Sequence, residues 1–179
     1  MFFIWTGLVE YSVEYSGLKP EWITVIEKNL SVLFNIGAEA VNSLSRSSVE
    51  ESVEAYKKSL TETDRMYHRE RVKTEIKTAL EKSNVSPRMI PLVAELLTEI
   101  TLTGSAVDHT TVTNSIKVCC RCKTVEALYG LKQLIDSGKM ANYFSRIMSC
   151  LTNEQVTVTV NMSEKDFNKC LMSLTDAAG

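Results

Sequence analysis

A chain of 179 residues holds one ordinary domain, or a compact domain with an extension, and two full domains would stretch it. Hydrophobic residues make up 44% and charged residues 23%, close to the globular average, which argues against disorder along most of the chain. A formal net charge of -2 without a block of like charge gives no electrostatic reason to expect nucleic acid or an anionic membrane as the main partner.

The opening run MFFIWTGLVEYSVEY has no basic n-region, is interrupted by Glu10 and Glu14, and is too short to span a bilayer. It is expected to form a strand or core segment, with Phe2, Phe3 and Trp5 packed inside rather than anchoring a lipid. The five cysteines are an odd number without an export signal, so free thiols in a reducing, cytoplasmic compartment are expected.

Pro20 stands ahead of Trp22, Val25, Ile26, Leu30, Leu33, Phe34, Gly37, Val41 and Leu44, spaced by threes and fours. That is an amphipathic helix with one strongly apolar face. After NSLSRSS, Ser48 and Glu51 have the spacing of a capping box for a helix to about Leu60. Thr63 or Asp64 can cap a further helix to about Lys82, whose apolar side is thin: Val72, Ile76, Ala79 and Leu80. Most of it must face water. Ser86-Pro87 has the form of a helix start, but Pro91 would break a continuous helix, so the main helix is expected from Pro91 through Leu92, Val93, Leu96, Leu97 and Ile100.

Beyond this point the period changes. TGSAVDHTT reads as a polar loop, and then Ile116, Val118, Cys120 and Cys122 alternate with Lys117, Cys119 and Arg121, the period of a strand with one covered face. Helical spacing returns through Val125, Leu128, Leu131, Leu134 and Ile135, and Gly138 stands where a left-handed stop is wanted. A second helix carries Met140, Tyr143, Phe144, Ile147, Met148 and Leu151. Val156, Val158 and Val160 then alternate with Thr157 and Thr159, and Ser163 with Asp166 opens a last helix bearing Phe167, Cys170, Leu171 and Leu174.

The expected fold is therefore α+β: a small sheet covered on one face by helices, an α-β sandwich, preceded by a helix-rich N-terminal region. Residues 1–103 would be that region, with a possible first strand, and 104–179 the mixed part; the two could also form one continuous domain. The uncovered sheet face, with Lys117, Arg121, Thr157 and Thr159, is the candidate partner-binding surface.

Chemistry finds little support in the spacing. A closed zinc site wants four Cys or His ligands in close pairs, whereas Cys119 points away from Cys120 and Cys122, and His68 and His109 lack ligand spacing. The cysteines are read as core residues, with neither metal nor cofactor expected. No histidine is marked as an oriented base, and Glu50, Glu51 and Glu54 lie on a helix too polar to separate their acidities, so catalysis is not expected. The open strands offer Lys, Arg and Thr where RNA stacking wants aromatics.

The order SIKVCCRCKTVEALYGLKQLIDSGKMANYFSRIMSCL, then VTVTVNMSEKDFNKCLMSL, resembles the TRADD N-terminal domain family over about residues 112–175. What the resemblance implies is an α-β sandwich that works as a non-catalytic adaptor in cytoplasmic signalling, of innate-immune or cell-death type. Its partner would be a TRAF-type or death-receptor signalling component. The chain departs from that family in its long helical region before the match. The alternative expectation is a helical oligomerisation or membrane-proximal structural domain, self-associating through the Trp22 to Leu44 helix.

Overall fold

The computed structural model describes residues 7–44, 46–112 and 115–178; Phe2, Phe3 and Trp5 lie outside them. The chain runs β1 (Gly7–Ser16), α1 (Pro20–Asn42), α2 (Arg46–Lys58), α3 (Glu62–Glu81), α4 (Ile90–Leu102), β2 (Ser105–Val112), β3 (Ile116–Cys122), α5 (Val125–Asp136), α6 (Lys139–Thr152), β4 (Thr157–Asn161) and α7 (Glu164–Ala178). The strands form one sheet in the order β2-β3-β1-β4, with every neighbouring pair antiparallel. The fold is α+β, as the periodicities indicate.

β1 explains how the halves combine. Val9, Tyr11 and Val13 are buried while Leu8 and Glu14, which point the other way, are exposed. This alternation suits a strand with one covered face, and β1 takes the central position between β3 and β4. The first segment of the chain thus completes a sheet whose other strands all come after residue 104. Buried residues from Val9 to Leu174 belong to one hydrophobic core.

The helices cover the inner face. In α1, Ile26, Leu30, Phe34, Gly37, Ala38 and Ala40 are buried against the rest of the chain, while Val25 of the predicted stripe is exposed. Phe34 meets Phe144 of α6 with ring centroids 5.2 Å apart, tying the first helix to the sixth. α3 buries Val72, Ile76, Ala79 and Leu80, as its thin stripe predicts. It is fastened to α4 by ions as well: Lys73 Nζ lies 3.0 Å and Arg69 Nη2 3.1 Å from the Glu95 carboxylate, and Arg69 also pairs with Glu99. Burial alone would raise the pKa of Glu95, but Lys73 and then Arg69 override it and hold the carboxyl below its ordinary value.

Four local expectations change. TGSAVDHTT holds all of strand β2 but its last residue, not a loop; its register shifts between Val107 and His109, so the bulged residue Asp108 breaks the alternation that marks a strand. Ser48 does not cap α2, which begins at Arg46; its Oγ donates instead to Glu75 Oε1 at 2.9 Å, joining α2 to α3. The cap of α3 is Thr61, whose Oγ1 accepts from the Asp64 N–H at 3.1 Å, so Thr63 and Asp64 fall inside the first turn. α4 starts at Ile90, one residue ahead of Pro91, which sits where the missing N–H costs nothing. The signals at Ser163, which accepts from the Asp166 N–H, and at Gly138, with φ +84°, stand, and the structure adds a cap at Thr124, whose side chain accepts from the Ala127 N–H.

Candidate functional site: the open face of the sheet

Because side chains alternate along each strand, one set of residues faces away from the helices. The register sets them in rows: Leu8 beside Arg121, Glu10 beside Cys119, Ser12 beside Lys117, and Glu14 beside Thr159. Among the described residues no helix covers this face, and Leu8, Arg121, Thr157 and Thr159 are exposed, with Lys117 half-buried. The four residues expected on the open face are all there. They do not form one cluster, since β1 separates Lys117 and Arg121 on β3 from Thr157 and Thr159 on β4.

The edge beyond β3 is not a free template for strand addition along its whole length. The Thr110 N–H on β2 donates to Asn35 Oδ1 of α1 at 3.1 Å, and Ser31 Oγ donates to the Thr110 carbonyl at 3.5 Å. Helix side chains thus occupy backbone groups that an added strand would need.

The densest chemistry on the face lies where β2 bulges. Asp108 and His109 are consecutive, and His109 pairs in register with Cys119. His109 Nδ1 and Asp108 Oδ2 are 2.7 Å apart, and Arg121 forms an ion pair with Asp108 Oδ1. The ligand atoms of Asp108, His109 and Cys119 lie within 4.8 Å of one another. Burial, then the charges of Asp108 and Glu10, push the Cys119 thiol up to about 11, with Arg121 opposing only in part. A thiol held this high is protonated at neutral pH and is a poor nucleophile.

The remaining cysteines differ in setting. Cys120, Cys122 and Cys170 are buried on the helix side, all five cysteines are free, and burial pushes the Cys120 thiol well up. Cys122 shares its buried position with Ser105, whose Oγ is 3.4 Å from the sulfur. His68 stands on α3, edge-on to Tyr67 at 5.1 Å between ring centroids, and is not part of the Asp108 cluster. Glu50, Glu51 and Glu54 line an open groove with Ala55 and Lys58, and Glu50 pairs with Lys123 at 3.1 Å; they are surface charges.

Spacing along the chain pointed to Lys117, Arg121, Thr157 and Thr159 but missed what β1 and β2 add. For β1 the signal was present, since Glu10, Ser12 and Glu14 alternate with Val9, Tyr11 and Val13. For Asp108 and His109 it was not, because a bulge hides the period and their neighbour Cys119 arrives through pairing. Among the described residues no helix is long and apolar enough to cross a membrane. Comparison with protein-family models, curated proteins and solved structures returned no significant match.

Proposed function

We propose that this chain is a non-catalytic protein–protein interaction module, an adaptor of cytoplasmic signalling of innate-immune or cell-death type, that docks its partner on the open face of the sheet. The observation that carries the reading is the uncovered face itself, which mixes an exposed apolar residue, Leu8, with Lys117, Arg121, Thr157 and Thr159. Mixed polarity of this kind suits a non-obligate protein contact. Four strands about 4.8 Å apart and roughly seven residues long at about 3.3 Å each span roughly 440 Å² in plan. A stable interface buries about 800 Å² per partner, so the loops at the rim must join the contact. The signalling class and the TRAF-type or death-receptor partner follow from the resemblance over residues 112–175.

The test is calorimetric titration of a purified TRAF domain, and of a death-receptor cytoplasmic segment, into the full chain. Two variants accompany it: one with Lys117, Arg121, Thr157 and Thr159 all changed to Glu, and one that leaves Arg121 in place. Circular dichroism establishes that both fold. Saturable binding that both folded variants lose supports the reading. Equal binding by the variants rejects this face, and no binding by the unaltered chain rejects the partner class. A concentration-independent oligomer in light scattering favours the oligomerisation alternative.

A further inference from the structure

The bulge in β2 does more than bend an edge. With one extra residue on that strand, consecutive Asp108 and His109 both bring their ligand atoms toward Cys119, which the β2–β3 register sets opposite His109. A carboxylate oxygen, an imidazole nitrogen and a sulfur, all within 4.8 Å of one another, make the borderline-soft donor set that zinc favours. Tetrahedral zinc with bonds of about 2.0–2.3 Å places its ligand atoms about 3.3–3.6 Å apart. The 2.7 Å Asp108–His109 contact would open slightly, and the wider gaps would close by small side-chain rotations.

The surroundings fit such an ion. Arg121 holds Asp108 by Oδ1 and leaves Oδ2 turned toward His109, the division of labour by which an outer partner orients a ligating carboxylate. Glu10, which the register sets beside Cys119 on the side away from His109, adds a second carboxylate next to the sulfur, and water completes the coordination. We propose that Asp108, His109 and Cys119 form a binding site for a zinc-class transition-metal ion on the open face of the sheet. The site does not depend on what the face docks.

Cobalt(II) serves as the spectroscopic probe, titrated into the reduced, metal-stripped full chain. The expected result is saturation at one ion per chain, with a thiolate-to-cobalt charge-transfer band in the near ultraviolet. Cys119→Ser abolishes the band without altering the circular dichroism, whereas Cys150→Ser, at the partly exposed cysteine on α6, keeps it. His109→Ala and Asp108→Asn each weaken binding by about tenfold or more, and zinc displaces the cobalt. No band at stoichiometric cobalt overturns the proposal, as does a band that survives Cys119→Ser. Binding that His109→Ala and Asp108→Asn both leave unchanged overturns it equally.

Discussion

Tyr11 offers the sharpest test of how the core is built. It is 1% exposed in the central strand, and its hydroxyl reaches only sulfur acceptors, donating to the Met140 sulfur 3.7 Å away beside the buried Cys120 thiol. Burying a hydroxyl without a good partner costs about 1–3 kcal/mol in mutational terms, of which a weak sulfur acceptor recovers part. Tyr11→Phe should therefore shift stability at neutral pH by less than about 1 kcal/mol, in either direction. Tyr11→Ala, which empties the ring's volume, should cost about 3–5 kcal/mol. The two variants differ again in alkali. Burial, then the neighbouring Cys120, hold the phenol well above 10.0, so the folded chain keeps a proton that the unfolded chain releases. The stability this contributes is complete below the unfolded value and is lost as pH rises past it. At about pH 11 that loss is about 1.4 kcal/mol in the unaltered chain and absent in Tyr11→Phe. Urea unfolding followed by circular dichroism at neutral pH and at about pH 11 measures both quantities. A stability difference that stays flat over this range would refute the reasoning, because the phenol would then be ionising in the folded protein.

Two further outcomes follow from named contacts. Glu95→Gln should cost about 0.5–1 kcal/mol near neutral pH, a figure reduced for the partial exposure of the Arg69 and Lys73 pairs. Glu95 is held below 4.5 in the folded chain, so its contribution is present above that value and fades as pH falls through the lowered one; acid-range unfolding should show the variant and the parent converging. Gly7→Ala would bring a Cβ to 2.6 Å from Cys170 Sγ and 2.8 Å from Leu174 Cγ, forcing α7 away from β1. Thermal or urea unfolding should show a loss of about 1–3 kcal/mol, relieved in part by adding Cys170→Ala; a neutral Gly7→Ala would show that α7 packs less closely.

How much of this was legible depended on whether the period survived. The four apolar residues of α3, the cap at Ser163 and the alternation of β3 and β4 follow from local rules that tertiary structure did not override. The failures have a common cause. Asp108 interrupts β2 at its middle, and the inward positions Ser105 and Thr110 are polar, so neither alternation nor apolarity marks the strand. Ser48 was misplaced because the helix began earlier and left its hydroxyl free to reach Glu75. Strand order was illegible for another reason: β1 lies between β3 and β4 although it precedes both by about a hundred residues or more, and nothing local encodes that pairing. The outward residues of β3 and β4 could be named from alternation alone, whereas the Asp108 cluster requires the register of two strands.

Arg121 is where docking and metal binding meet, and it decides how they can be told apart. Its guanidinium stands on the open face and also holds Asp108. Changing it to Glu would put a second carboxylate charge beside Asp108, disturbing the cluster as well as the surface. A loss of partner binding in the fourfold Glu variant alone would therefore have two causes. The variant that keeps Arg121 separates them: Lys117, Thr157 and Thr159 lie outside the three proposed ligands, so it should retain the cobalt band while losing any partner that rests on the face. Conversely, Cys119→Ser removes the band and leaves those three side chains unchanged. If partner binding also fell there, the ion would be organising the docking surface; if it held, the two properties would share a face without sharing a mechanism.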